Sequence, residues 1–200
     1  MRAQHALSSA FAAFATAALV AVAAPAPATA APAPQHCVAT PGGAAPVCFS
    51  TFTAATRFAT GGRVTDAPAQ GTGKQLSAFL DRTATTTARS ASVAAATVNA
   101  PVVMAYEHAD FQGYSLTFVI PVTQGQYEGN CDGKTYDFPW VGAEINDKIT
   151  SIQVLNYGRY CQTRLYDHID FGGSNYNVDA KGNRLVRDFN DRASSVRIWN

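Results

Sequence analysis

The stretch Tyr106-Glu107-His108-Ala109-Asp110-Phe111-Gln112-Gly113 returns 60 residues later as Tyr166-Asp167-His168-Ile169-Asp170-Phe171-Gly172-Gly173. A second pair of similar stretches follows at an offset of 44, namely Asn146-Asp147-Lys148-Ile149-Thr150-Ser151 and Asn190-Asp191-Arg192-Ala193-Ser194-Ser195. Because the two offsets differ by 16, the first copy carries 16 extra residues in the stretch that contains Cys131. The C-terminal half of the chain is therefore a tandem repeat of two related units.

Both copies have the residue pattern of β structure. Large apolar residues recur at every second position in Tyr114, Leu116, Phe118 and Ile120, which is the period of a strand with one buried face. A glycine ends each aromatic stretch, where a tight turn between strands needs a positive φ. We therefore predict an all-β domain in which two four-strand units pack as a two-sheet sandwich.

These residues resemble the microbial βγ-crystallins. The shared features are Tyr-x-x-x-x-Phe-x-Gly, followed downstream by an Asn/Asp-Asn/Asp-x-x-Ser/Thr-Ser loop, and each occurs twice. The resemblance covers about residues 101–200 and does not extend to the first hundred. It implies that each repeat is a Greek-key motif and that the two motifs together form a βγ-crystallin-like sandwich.

The two Asn-Asp loops offer oxygen donors, which are the ligands that Ca²⁺ prefers. The family resemblance implies two calcium sites in the domain, each combining one loop with the hairpin of the other motif. The resemblance implies two hairpin carbonyl ligands, those of Glu107 and Asp167. It also implies six loop ligands: Asn146, Asp147, Thr150, Asn190, Asp191 and Ser194. The last loop residues, Ser151 and Ser195, are expected to make structural hydrogen bonds. Such residues also form ordinary turns, so the calcium prediction depends on the repeat.

The first 30 residues have the features of a secretory signal peptide. Arg2 precedes an apolar, Ala-rich run, and Ala28-Thr29-Ala30 forms a small-x-small cleavage site. The alternative is an N-terminal membrane anchor, but Pro25 and Pro27 interrupt the run, and no later stretch approaches membrane-spanning length. We therefore expect a secreted, extracellular protein with no membrane span.

Four cysteines in an exported chain predict disulfides. Pairing within each region is the simplest arrangement, and it joins Cys37 to Cys48 and Cys131 to Cys161. Residues 31–83 are then a small disulfide-containing N-terminal region with two short helices. The first is predicted over about 50–60 with Ser50 as its cap, and the second over Gln75–Arg82.

Residues 84–100 are rich in Ala, Thr and Ser, which is typical of a flexible linker. Three interpretations of residues 31–100 stay open at this point: a propeptide, a subdomain or a flexible arm. This part of the chain has five basic and two acidic residues, whereas residues 101–200 have nine basic and twelve acidic ones.

The charge of the whole chain is almost balanced, with 15 basic and 14 acidic residues, which disfavours binding of nucleic acid through net basicity. No sequence motif of a zinc protease, a serine hydrolase or a nucleotide-binding enzyme is present. We therefore expect a monomeric, non-enzymatic, calcium-binding βγ-crystallin-type protein. The alternative is a secreted metalloproteinase inhibitor on the same fold, whose partner is an extracellular protease.

Overall fold

The computed structural model describes residues 36–87, 97–123, 131, 133–155, 160–179, 182 and 184–200. The predicted signal peptide, residues 1–30, lies outside them, as do residues 88–96 of the predicted linker. Residues 32–200 belong to one compact unit. None of the helices in the described ranges has the length and apolar character needed to cross a membrane.

The described part of the chain contains two sheets, two α-helices and three short 3-10 helices. The first sheet has the strand order β2-β1-β4-β3-β6, and the second has the order β5-β9-β7-β8. The elements are β1 (His36–Ala39), β2 (Val47–Phe49), α1 (Phe52–Ala59), α2 (Gly73–Thr87), β3 (Thr97–His108), β4 (Gln112–Thr123), β5 (Thr135–Phe138), β6 (Ser151–Val154), β7 (Gln162–Tyr166), β8 (Asn175–Val178) and β9 (Ser195–Trp199).

The repeat folds as the Greek-key sandwich that its sequence predicts. In each copy the first strand pairs with the last, with Tyr106 opposite Ser151 and Tyr166 opposite Ser195. Strand β5 of the first copy crosses over to pair with β9 of the second. The two sheets meet through rings such as Phe118 and Phe138, which pack edge to face with their centroids 4.9 Å apart. The prediction of an all-β two-sheet fold is confirmed.

The second repeat differs from the predicted four strands, because its counterpart of β5 is not a strand in the residues described there. At Gly182 the chain instead lies directly against the backbone of β6, where an added Cβ would collide with the carbonyl of Ile152. This close approach requires glycine at position 182.

The first sheet is buried on both faces, which an isolated antiparallel sandwich does not require. Residues 100–106 of β3 and 115–120 of β4 are buried without interruption. The N-terminal region extends this sheet at its edge: β1 pairs in parallel with β4, placing Cys37 opposite Leu116. The sheet therefore gains two strands from residues that precede the repeat.

Helices α1 and α2 pack on the outer face of this sheet. The phenol oxygen of Tyr106 accepts a hydrogen bond from the Gly73 backbone amide at 2.7 Å, and Leu76 and Leu80 of α2 are fully buried. The His36 ring packs edge to face on Phe52. A satellite cluster joins α1 to the sheet through Val38, Ala55, Ala59 and Val119. The described part of the N-terminal region thus packs into the same hydrophobic cluster as the repeat.

The helix boundaries differ from those predicted. The cap of α1 is Thr51, not Ser50, because the Thr51 backbone is extended and its hydroxyl accepts from the Ala54 amide at 3.2 Å. Helix α2 is longer than predicted at both ends. Strand β3 begins at Thr97, inside the predicted linker, because its first residues pair with the far end of β4.

Both predicted disulfides are confirmed. Cys37 and Cys48 face each other across β1 and β2 and are joined by an S–S bond. Cys131 and Cys161 close a loop across 30 residues of sequence and are themselves buried. The second bridge anchors the insertion of the first repeat beside the start of β7.

Candidate functional site

The two hairpins of the repeat turn through backbone conformations that most residues avoid. Asp110 and Phe111 have φ of 58° and 64°, and their counterparts Asp170 and Phe171 have 54° and 64°. Aspartate tolerates this left-handed region, whereas a bulky aromatic residue is strained there. The surrounding contacts therefore have to hold each hairpin in place.

The last serine of each loop makes those contacts. Ser195 Oγ donates to the His168 carbonyl at 2.6 Å and accepts from the Phe171 amide at 3.0 Å. Ser151 makes the equivalent pair of bonds in the first hairpin, at 2.6 and 3.1 Å. Both serines are fully buried, so they fasten the hairpins and have no free oxygen facing solvent.

Each loop is also fixed to its own hairpin through the backbone. The Thr150 amide donates to the Tyr106 carbonyl and the Ser194 amide donates to the Tyr166 carbonyl, both at 2.9 Å. These bonds hold Thr150 and Ser194 against the tyrosine that precedes the hairpin residue. In the first hairpin that residue is Glu107, which lies at a register irregularity of β3 and β4.

The two loops meet each other head to head. Thr150 Oγ1 donates to Asp191 Oδ1 at 3.2 Å, and Ser194 Oγ donates to Asp147 Oδ1 at 3.1 Å. Both aspartates have φ of 55°, and their amides donate to carbonyls of the opposite loop at 3.2 Å. Each carboxylate is thus held against the hydroxyl of the other motif.

Two equivalent groups of oxygen donors result. The first cluster consists of Glu107, Thr150 and Asp191, and the second cluster consists of Asp167, Ser194 and Asp147. Each draws its hydroxyl and hairpin residue from one motif and its carboxylate from the other. The sequence-based expectation placed the carboxylate and the hydroxyl of one loop together, whereas in the structure each carboxylate bonds the hydroxyl of the other loop.

The first residue of each loop leaves a buried oxygen without a partner. Asn146 and Asn190 donate from their amide nitrogens to the neighbouring aspartate carboxylates at 2.8 Å. Their Oδ1 atoms are two of five buried side-chain polar atoms that lack a hydrogen bond in the described ranges. Buried polar oxygens are rarely left unpaired, so these two oxygens, at equivalent positions of the repeat, are suited to accept a ligand.

This donor set, which consists of oxygen atoms, fits a hard divalent cation. The described residues contain no group of three or more His, Cys, Asp or Glu side chains that could hold a metal ion. The clusters instead combine carboxylate, hydroxyl, amide and carbonyl oxygens, which is the chemistry that Ca²⁺ takes in adaptable geometry. A calcium ion at each cluster would compete for the carboxylates that the hydroxyls now hold.

The clusters differ in their surrounding charge. Arg192 binds the Asp167 carboxylate through two nitrogens, at 2.6 and 2.9 Å, and this ion pair holds the pKa of Asp167 below its usual value. Among the described residues, the Glu107 carboxylate at the equivalent place accepts one hydrogen bond, from the Tyr114 amide at 3.4 Å. Sequence reasoning missed Arg192, because the only signal was a cation at the third loop position, where the first loop has Lys148.

The structure brings together most of the side chains predicted as ligands. Glu107 and Asp167 were predicted to contribute carbonyls, and both follow a tyrosine whose own carbonyl binds the neighbouring loop. The loop residues lie where the two motifs meet, either in direct hydrogen bonds across the loops or next to them: Asn146, Asp147, Thr150, Asn190, Asp191 and Ser194.

Comparison with known proteins gives structural neighbours only. No protein-family model matches the chain, and no curated protein matches it. Among solved structures, a βγ-crystallin from an archaeon is 28% identical, covering 50% of this chain and 98% of its own, with a TM-score of 0.34. βγ-Crystallin domains from Clostridium beijerinckii and Flavobacterium johnsoniae are 20% and 22% identical. The first covers 49% of this chain and 97% of its own length, with a TM-score of 0.34, and the second covers 48% of this chain and 92% of its own length, with a TM-score of 0.32.

Proposed function

We propose that this chain is a secreted, non-enzymatic calcium-binding protein in which two Ca²⁺ ions stabilise the extracellular βγ-crystallin-like sandwich. The proposal of secretion is based on the signal-peptide pattern of residues 1–30. The proposal of calcium binding is based on the paired clusters and their oxygen chemistry. The absence of enzyme motifs supports a binding role rather than catalysis.

One observation carries the calcium proposal: the exchange of donors between the loops. A loop whose only task is to turn the chain satisfies its polar groups locally. Here the Thr150 hydroxyl bonds to Asp191, 41 positions away, and the Ser194 hydroxyl bonds to Asp147, 47 positions away. Each cluster therefore contains donors from both motifs. The unpartnered Asn146 and Asn190 oxygens lie at the same positions in both loops. A ligand that needs donors from both motifs accounts for all of these features together.

Calcium bound in this way links the two motifs and therefore stabilises the folded chain. The unfolded chain has no preformed site, so the free energy of binding adds to the free energy of unfolding. Each cluster has few formal charges, which favours dissociation constants of about 10⁻⁴ to 10⁻³ M, the order found in extracellular modules. At a hundredfold excess over that constant, each ion contributes about 2.7 kcal/mol.

Calorimetric titration of the mature chain, residues 31–200, tests the proposal. We expect calcium to bind with a stoichiometry of two in the wild-type chain. The double variant Asp147→Gly/Asp191→Gly removes one carboxylate from each cluster, and we expect it to lose both binding events. Glycine is the suitable replacement, because both aspartates have φ of 55°, which alanine would adopt with strain.

The matched control is the double variant Asp110→Gly/Asp170→Gly. These aspartates also have positive φ and lie in the hairpins, but they belong to neither cluster. We expect this control to retain two calcium ions per chain. Undiminished two-site binding in Asp147→Gly/Asp191→Gly would refute the assignment of the clusters, and no binding to the wild-type chain would refute the function itself.

A second candidate function is inhibition of an extracellular metalloproteinase. The observation that favours it is the Cys131–Cys161 disulfide, which anchors the 16-residue insertion of the first repeat. A disulfide-anchored loop on a rigid scaffold is suited to presenting a binding segment. Assay of the mature chain against a thermolysin-like protease tests this candidate, and absence of inhibition at micromolar chain would eliminate it for that class of protease.

A further inference from the structure

The two clusters are equivalent in sequence pattern but not in charge. In the second cluster, Arg192 lies on the Asp167 carboxylate in a bidentate ion pair. The guanidinium is fixed further by a bond to the Asp188 carbonyl at 3.2 Å and by its position over the Phe189 ring. It is therefore a positive charge held in one place beside the second cluster.

The first cluster has no such cation. Lys148 occupies the same loop position as Arg192, but its ammonium donates to the Glu144 carbonyl at 3.1 Å and not to a carboxylate of the cluster. Glu107 forms no ion pair among the residues that the structure describes. The first cluster thus has two carboxylates outside any ion pair among the described residues, those of Glu107 and Asp191. The second cluster has one, that of Asp147.

We propose that Arg192 makes the two calcium sites unequal, so that the first cluster fills at lower calcium than the second. This inference rests on the proposed calcium-binding function. A fixed positive charge near a divalent cation opposes its binding, and the effect is moderated by solvent because Arg192 is 43% exposed and Asp167 is 16% exposed. At a separation of several Å in a partly screened environment, the expected difference between the two dissociation constants is about three- to tenfold.

The consequence is a graded response to calcium. At intermediate concentrations the chain holds one ion, in the cluster that combines the first hairpin with Asp191. The second ion then binds only as Asp147 and Ser194 exchange their mutual hydrogen bond for the metal, against the opposing charge of Arg192. Salt screens both the attraction of the first cluster's two carboxylates and the repulsion from Arg192, so occupancy of the first cluster should depend on ionic strength more strongly than occupancy of the second.

Single-site variants separate the two affinities. Asp147→Gly disables the second cluster and reports on the first, and Asp191→Gly disables the first and reports on the second. By calorimetry with CaCl₂ in the mature chain, we expect the dissociation constant in Asp191→Gly to be three- to tenfold larger than in Asp147→Gly. Adding Arg192→Gln to Asp191→Gly should remove most of this difference.

Two further variants distinguish charge from packing. Arg192→Lys keeps the charge but loses the bidentate fit, so we expect it to retain most of the weakening that Arg192 causes. Lys148→Gln in the Asp147→Gly chain is the matched control, and its effect on the first cluster should stay below twofold. In 0.5 M NaCl the difference between the two clusters should shrink.

The outcomes for this inference and for the proposed function are distinct. Equal affinities at the two clusters, or an Arg192→Gln variant that binds no more tightly, would overturn the inference while leaving two-site calcium binding intact. Equal tightening by Arg192→Gln and Arg192→Lys would also overturn it, because the effect would then come from the side-chain fit rather than its charge. Failure of the wild-type chain to bind any calcium would overturn both.

Discussion

Replacing Leu80 by alanine tests whether the N-terminal region is part of the crystallin-like core. Leu80 is fully buried on α2, which packs on the outer face of the first sheet. The substitution removes three buried carbon atoms, worth about 2.4 kcal/mol in transfer free energy at about 0.8 kcal/mol each. The remaining cavity adds about 1 kcal/mol or more, so the free energy of unfolding should fall by about 3 to 4 kcal/mol.

Urea unfolding followed by tryptophan fluorescence measures this effect. Trp140 and Trp199 both lie in the repeat, so their signal reports on the sandwich and not directly on α2. If the slope of the transition is about 2 kcal/mol/M, the midpoint should fall by about 1.5 to 2 M. The control is Leu185→Ala, which makes the same chemical change at a side chain that is 49% exposed and should shift the midpoint far less.

An unchanged tryptophan transition in Leu80→Ala would refute this account of the fold. That result would mean that α2 unfolds separately and that the outer face of the first sheet is stable without it. Alanine is also a strong helix former, so a loss of stability cannot be attributed to weakened helix propensity.

Two further predictions follow from buried polar groups. Ser195→Ala leaves the His168 carbonyl and the Phe171 amide without their partner, so the free energy of unfolding in urea titrations should fall by about 1 to 3 kcal/mol. The control is Ser174→Ala, at an exposed serine, which should change the free energy of unfolding little. Equal effects of the two substitutions would contradict the role of Ser195 in holding the hairpin. Burial lowers the pKa of His36, partly offset by the Gln70 side chain. Below about pH 6.5 the His36 imidazole is therefore protonated in the unfolded chain but stays neutral in the folded chain. The free energy of unfolding should decline as the pH falls from 6.5 toward the lowered pKa of His36. Urea midpoints at pH 7.5, 6 and 5 should show a smaller decline in His36→Gln, and an equal decline would exclude His36 as the cause.

The sandwich could be predicted from sequence because its signals are local and occur twice. The aromatic-glycine hairpins and the Asn-Asp loops each combine a turn requirement with flanking strand patterns, and repetition makes the pattern specific. The β-strand pattern of the repeat follows from alternating apolar residues such as Leu116 and Phe118, which face the second sheet. Each of these features can be recognised without knowing what it contacts.

The packing of the N-terminal region could not be predicted in the same way. Its two short helices have recognisable apolar faces, but the surface that they cover is assembled from β1, β3 and β4, which are distant in sequence. One signal was present in retrospect: residues 100–106 form a nearly continuous apolar run, which is typical of a strand buried on both faces. A region rich in Ala and Thr did not indicate what would cover that second face.

The candidate site was predictable in its residues but not in its arrangement. The loops contain the donors, yet the partners of Thr150 and Asp191 are set by the packing of the two motifs. The role of Arg192 was equally hidden, because Lys148 stands at the same loop position and only the folded chain distinguishes a bidentate ion pair from a bond to a carbonyl.

The most direct test of the account is a thermal melt of the mature chain, residues 31–200, with 10 mM CaCl₂ and again with excess chelator. If the first cluster binds calcium with a constant of about 10⁻⁴ M and the second binds it three- to tenfold more weakly, the two ions should add about 2.7 and about 1.4 to 2 kcal/mol, and the midpoint should rise by about 10 °C in total. The Asp147→Gly/Asp191→Gly chain should melt at the same temperature in both conditions. A wild-type midpoint that is the same in calcium and in chelator would contradict the central claim that calcium joins the two motifs.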